Sequence, residues 1–317
     1  MGTGSAVQWQ RSKTVLPSYG FEYGGGYSST DLSPYEVTNP DNILPKLAEL
    51  STFTIKNSSE MPILDGAEAA YPVYSAFANT VYENISKLDN VWDIVSFSNT
   101  IYSYERLLSG EVDIYFGAEP SKEQHEMAKR QGKELVMTPI GKEAFVFFVN
   151  PENKVDNLDV SEIQSIYSGK IKNWSELGGK NERIVAFQRP KNSGSQTLLE
   201  KIMGDTPIME PLKEDVPEGM GGIIEQVADY RNYDNSIGFS FRFFATGMRD
   251  NSKIKLLAIN GVEPTPENIA SGKYPFTANL YAITLKNNTK PSISPFLEWM
   301  KGPQGQEIIE KIGYIKN

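Results

Sequence analysis

From Met61 onward, short apolar runs alternate with longer amphipathic stretches, and this alternation limits the fold more than any other feature of the sequence. MPILDG reads as a buried strand ending in a turn. YPVYSAFANTVYENI reads as a helix with Pro72 in its first turn, where a missing N–H costs nothing. Tyr74, Phe77, Ala78 and Val81 recur at helical spacing and are expected to face the core. VWDIVSFSNT is expected to be a strand running into a polar turn, and IYSYERLLSG a helix closed by Gly110. EVDIYFGAEPS follows as strand and turn, then SKEQHEMAKRQG as a polar helix capped by Ser121. ELVMTPI and EAFVFFVN read as two strands.

The second half repeats the pattern. VSEIQSIYSGKIKNWSELGG predicts a helix and a Trp-containing turn, ERIVAFQRP a strand, and NSGSQTLLEKIMGD a loop feeding a helix. NSIGFSFRFFATG predicts a strand and then a helix or turn, while KIKLLAIN and FTANLYAITL predict strands. SPFLEWMKGPQGQEIIEKIGY reads as two helical pieces interrupted at Gly302-Pro303. Such a succession means an α/β fold with a largely parallel sheet. Residues 1–58 show neither period and read as an irregular arm, with a short helix at ILPKLAEL.

The chain has 317 residues, enough for two domains of roughly 150 residues each. Its net charge of -9 and the lack of a basic stripe argue against nucleic acid and anionic membranes as partners. Cysteine is absent, which removes disulfides, thiolate metal sites and cysteine nucleophiles. With one histidine, His125, set in a polar helical stretch, histidine-based metal sites and triads are nearly excluded, and no cofactor is expected. No apolar run reaches the ~18 residues a membrane span needs. The opening MGTGSAVQWQ has the look of a trimmed start, so a removed targeting segment is part of the expectation.

Chemistry concentrates at Gln188–Thr197. A strand delivers Arg189, and Ser193, Gly194 and Ser195 then open a helix. A helix N-terminus offers unpaired N–H groups and partial positive charge. Gly194 admits a ligand close to the backbone, Ser193, Ser195 and Thr197 add hydroxyls, and Arg189 adds a planar fork of donors. Together they suit a tetrahedral oxyanion. The plainer alternative is a Ser N-cap beside a surface arginine. Asp65–Ala69 and Ser96–Thr100 are further strand-to-helix turns, and three such turns can converge on one crevice. None has Walker spacing.

With these segments in view, residues 61–317 resemble the phosphate ABC-transporter substrate-binding proteins of Gram-positive bacteria. The resemblance rests on LDGAEAAYPVYSAFANTVY, GEVDIYFGAEPSKEQ, GKEAFVFFVNPENKVDNL, IYSGKIKNWSELGG, AFQRPKNSGSQT and NSIGFSFRF. It implies a two-lobed periplasmic-binding-protein-like fold of type II, with a ligand held between lobes that close over it. Residues 59–142 plus 251–317 would form lobe I, 143–250 lobe II, and 1–58 the arm. It also implies backbone N–H donors from Gly66, Ala67, Glu68 and Ala69, with Ala70 beyond them, and hydroxyls or N–H groups from Ser98 and Thr100. Glu119 falls where relatives carry a carboxylate, which would accept the proton of hydrogen phosphate and reject sulfate. Arg189, Ser193, Gly194, Ser195 and Thr197 match the main oxyanion loop.

Glu68 departs from the family pattern, which has Ser or Thr there. At ~4 Å and an effective dielectric of ~20, one like-charge pair costs about 4 kcal/mol. A charge-assisted hydrogen bond returns only about 1.5–3 kcal/mol. Glu68 therefore turns outward, pairs with Arg189 or Arg242, or holds a proton; otherwise the ligand is not phosphate. Arg242 is a candidate second cation or a surface arginine. Trp174, Tyr167, Tyr71 and Tyr74 read as packing residues, and KEDVPEG as a solvated loop. No nucleophile has a base within sequence reach, so an enzyme is not expected, although Glu68 and Glu119 leave open a glycosidase-like carboxylate pair. A sensor for another small ligand would have the same sequence features. The resemblance implies a cell-surface, extracellular location through a removed N-terminal lipid anchor, a monomeric state, and ABC permease subunits as partners.

Overall fold

Strand β1 (Leu64–Gly66) is buried throughout and pairs in parallel with β2 (Ile114–Gly117). Gly66 is a glycine because a Cβ there would overlap the carbonyl of Phe116 on that neighbour. Between the two strands lie α1 (Tyr71–Val81), α2 (Val91–Ile94) and α3 (Asn99–Ser109), the last closed by Gly110 at φ 84°. Helix α4 (Lys122–Arg130) starts with a reciprocal cap between Ser121 and Gln124, as its sequence predicts. A computed structural model provides this description, and it covers residues 30–210, 235–248 and 253–317.

The next strand, β3, runs unbroken from Leu135 to Val149. The sequence suggested two strands here. A register shift between Pro139 and Gly141 absorbs the breaker residues without ending the strand. After it come β4 (Asn157–Leu158), α5 (Val160–Tyr167), β5 (Val185–Ala186), α6 (Gly194–Met203) and β6 (Ser236–Phe241). A π-helical turn covers Phe244–Met248. Then follow β7 (Lys255–Leu256), β8 (Ala258–Ile259), α7 (Pro266–Ala270), β9 (Thr277–Leu285), α8 (Ile293–Lys301) and α9 (Pro303–Ile312).

The main sheet has the order β1-β2-β9-β3-β6-β5, with β7 also on β3. Only β1/β2 and β5/β6 are parallel within it; β9 and β3 run antiparallel to their neighbours. The expectation of a largely parallel sheet is thus corrected to a mixed one. A strand's own apolar pattern does not set the direction of its partner.

Two cores flank the first part of this sheet. Ile114 and Phe116 point into one, with α1, α8 and α9; Tyr115 points into the other, with α3 and α4. A separate core gathers Phe145, Phe147, Tyr167, Trp174, Phe187 and Phe239. It also takes in Ile254, Leu257, Ile259, Ile269 and Tyr274. Residues 254–274 therefore pack with the second lobe, past the expected boundary at 251, because β7 pairs with the far half of β3.

Two further expectations fail locally. VWDIVSF is not a strand: Val91–Ile94 form a short helix, and Val95 alone bridges to Leu64. ILPKLAEL is not a helix. Pro45 lacks a donor, and the backbone nearby bonds α9 side chains instead: Ala48 N to Glu307 at 2.9 Å, Thr52 N to Gln304 at 2.8 Å. The described part of the arm is irregular yet anchored, with Tyr35, Val37, Leu44 and Ile55 buried in the first lobe. KEDVPEG lies outside the described residues.

Candidate functional site

Ser193 caps α6, its hydroxyl accepting from Gln196 N at 3.4 Å and its carbonyl from Thr197 N at 3.0 Å. That leaves the N–H groups of Gly194 and Ser195 as the ones this terminus can offer a ligand. The hydroxyls of Ser195 and Thr197 are buried and have no hydrogen-bond partner among the described residues. Arg189 lies on the same loop at 5% exposure, its N–H fixed by Gln196 Oε1 at 2.8 Å. Gln196 is held in turn by Gln188 at 3.2 Å. The loop's shape is thus set by residues other than those with spare donors.

The start of α6 faces the first lobe. A Cβ on Gly194 would stand 3.7 Å from the Phe241 ring and 3.8 Å from Ala118, which follows β2. Ala118 and Phe241 also border a small cavity of about 20 Å³ between the lobes, together with Ala67, Ala69, Glu143 and Tyr314. Polar contacts cross between the lobes nearby. Ser121 donates to Asn192 at 2.7 Å, and Asn192 donates to Glu123 at 3.1 Å. Lys191 pairs with Glu123 at 3.1 Å and Lys201 with Glu119 at 2.9 Å. The lobes are therefore together in this structure.

The first-lobe turns are organised differently. Asp65 is fully buried and collects donors from Gly66 N (2.8 Å), Ser98 N (2.9 Å), the Ser98 hydroxyl and Arg106. Burial raises its pKa, while Ser98, Arg106 and the two N–H groups pull it down. Ser98, expected to serve a ligand, thus gives both its donors to Asp65. Ala67 N bonds Phe116 O at 2.8 Å and Ala70 N bonds Ala67 O at 2.9 Å. Gly66, Ala67 and Ala70 accordingly spend their N–H groups inside the protein, and Ala69 gives its carbonyl to Tyr314 at 2.7 Å. Thr100 lies beside the Tyr115 side chain.

Three other candidates land as follows. Glu68 is buried at 6% exposure in a short 3-10 turn ahead of α1, so it does not point into bulk solvent. Glu119 is half-exposed and lines a groove of about 410 Å³ with Lys142, Lys201 and Tyr281, where it pairs with Lys201. Arg242 donates to the carbonyl of Pro264 at 2.8 Å, and its charge acts on Glu143 and Glu267. Trp174, Tyr167, Tyr71 and Tyr74 are all buried packing residues, as expected.

Two further residues were not singled out from sequence. Asn99 opens α3 at φ 62°, with both amide atoms buried and unbonded among the described residues. A left-handed asparagine at a helix start leaves no signal in sequence beyond a common turn residue. Glu143 is fully buried on β3 and hidden within an apolar run. Among the described residues, no group of three metal-ligating side chains occurs, and no helix is long and apolar enough to cross a membrane.

Residues 63–303 match the family described as a PBP superfamily domain. This chain belongs to the PBP superfamily. Among its PBP relatives, the phosphate-binding protein PstS of Bacillus subtilis is 31% identical over 168 residues, 53% of each chain. PstS of Borreliella burgdorferi is 29% identical over 180 residues, 55% of this chain and 63% of that protein. The chain thus spans about half to two-thirds of the length of these relatives. Among solved PBP structures, a Clostridium perfringens protein described as a phosphate ABC transporter substrate-binding protein, with bound phosphate, superposes with a TM-score of 0.61. It is 24% identical, and the match covers 80% of this chain and 99% of that one. An ABC-type phosphate transport receptor from Vibrio cholerae gives a TM-score of 0.59 at 19% identity, over 81% and 100% of the two chains. These likenesses bear out the two-lobed α/β fold.

Proposed function

We propose that this PBP chain captures inorganic phosphate between its lobes, outside the membrane, and hands it to the permease of an ABC transporter. One observation carries the reading: two buried hydroxyls without partners, on Ser195 and Thr197, at a helix start beside buried Arg189. Donors that nothing in the protein satisfies are costly unless a ligand takes them. A small oxyanion takes several at once. Capture and release are the whole reaction, and no covalent chemistry is involved. The finer points of the reading are a monomer, held at the cell surface by a lipid anchor.

Glu68 favours a second reading, a binding or sensing protein for a different small ligand. A buried carboxylate on the first-lobe turn suits a less anionic partner. Calorimetric titration of ligand-stripped protein with phosphate, and with sulfate as control, separates the two. Heat with phosphate alone supports phosphate capture. In that case Arg189→Ala should cost about 2–5 kcal/mol of affinity, because it leaves the bound anion without its nearest cation. No heat with phosphate overturns the reading in favour of the second.

A further inference from the structure

Glu143 belongs to none of the ligand turns, yet it occupies the place where the lobes join. It lies on β3 just after the register shift, at the end of that strand's pairing with β9. One carboxylate oxygen accepts from Ala144 N at 2.8 Å and the other from Phe243 N at 3.0 Å. The carboxylate therefore ties β3 to the turn that follows β6. On its open side is the cavity of about 20 Å³ that the first lobe closes with Ala67, Ala69 and Ala118. Such a space has room for about one water and no more. First-lobe residues thus supply part of the wall that keeps bulk solvent from Glu143.

We propose that Glu143 is a proton-binding site coupled to lobe closure, so that closing the lobes over a ligand takes up a proton at this carboxylate. The inference rests on the capture reading above for the ligand used to drive closure, and on the geometry alone for the coupling.

The charged and titratable neighbours point the same way. Burial pushes the Glu143 pKa up to about 7, against the pull of its two N–H partners and of Arg242. Arg242 is itself held by the Pro264 carbonyl. From the C-terminal segment, Tyr314 is the titratable group at the cavity. Burial and then the Glu143 charge raise its pKa well above the ordinary value, so it stays neutral. From β9 the cavity receives Asn279, which does not titrate. The first-lobe turn contributes alanines to the wall, with Glu68 the buried carboxylate of the same turn. Lys142, the chain neighbour, lines the separate groove beside Glu119.

The sign follows. Parting the lobes lets water reach Glu143 and returns its pKa toward that of an ordinary glutamate, ~4.3. The closed state then binds the proton more tightly than the open one. Closure is favoured as pH falls through about 7 and becomes independent of pH once the group is ionised in both states. Between pH 8 and pH 6 this contributes about a tenfold gain in ligand affinity.

Two measurements test this on the whole chain. Calorimetry at pH 7 in two buffers of different protonation heat counts protons taken up per phosphate bound. Wild type should take up about half a proton more than Glu143→Gln. Phosphate's own ionisation contributes equally to both. Small-angle scattering of the ligand-stripped protein should show wild type more compact at pH 6 than at pH 8, and Glu143→Gln lacking that change. Equal uptake and an equal scattering response in wild type and Glu143→Gln overturn the proposal. If phosphate gives no heat, the scattering comparison alone decides: a pH response lost in Glu143→Gln sustains the proton site while the phosphate reading falls. If the response is unchanged, both fall.

Discussion

The two lobes both present strand-to-helix turns to the interface, and they treat their hydroxyl donors differently. In the first lobe, Asp65 draws in Ser98, Gly66 and Arg106, so these donors brace β1 against α3, and the Asn99 amide stays unbonded among the described residues. In the second, Gln196 and Ser193 do the bracing, and the Ser195 and Thr197 hydroxyls are left over. A turn whose donors are occupied contributes rigidity, and a turn whose donors are spare contributes affinity. On the proposed reading, the second-lobe loop would supply most of the side-chain hydroxyls for an anion.

The sharpest way to break this contrast is Asp65→Ala. Removing one member of a buried ion pair typically costs about 3–5 kcal/mol. The loss should appear in urea unfolding, with phosphate affinity of the folded fraction changed far less. If affinity falls by as much as stability, the first-lobe turn is a ligand site after all. Ser195→Ala is the mirror experiment. It should cost about 1.5–3 kcal/mol of phosphate affinity and leave the unfolding midpoint nearly unchanged, since the hydroxyl has no internal partner to lose. A drop in the midpoint without a loss of affinity would reverse the assignment. Lys201→Met should have the smallest effect. Its pair with Glu119 is substantially exposed, so affinity should shift by at most ~1 kcal/mol and the shift should vanish in high salt.

What was legible in the sequence follows the same division between local and distant causes. The Ser121 cap, the Gly110 stop and the break at Gly302-Pro303 each depend on a few neighbouring residues, and each appears where the sequence puts it. The grouping of the Ser193–Thr197 hydroxyls with Arg189 at a helix start was also legible, because these residues lie within one short segment. The fate of Ser98 was not, because it is decided by Asp65, 33 positions away. The same holds for VWDIVSF, whose apolar pattern fits a strand but which finds only one bridge to β1. Glu143 sat unread in a strand of phenylalanines, since nothing local distinguishes a buried carboxylate from a solvated one.

The crossing between the lobes has a mechanical consequence. It is made by β3 together with the chain entering β9, and the Phe145 N–H bonds Phe276 O there at 2.9 Å. A crossing of slack linkers would swing freely and push back on nothing. This one is a hydrogen-bonded ribbon, and parting the lobes has to twist it, with the shift at Pro139–Gly141 an irregularity in its pairing. The ribbon behaves as a torsion spring set in parallel with the ligand. Whatever opens the protein must supply torque as well as break contacts.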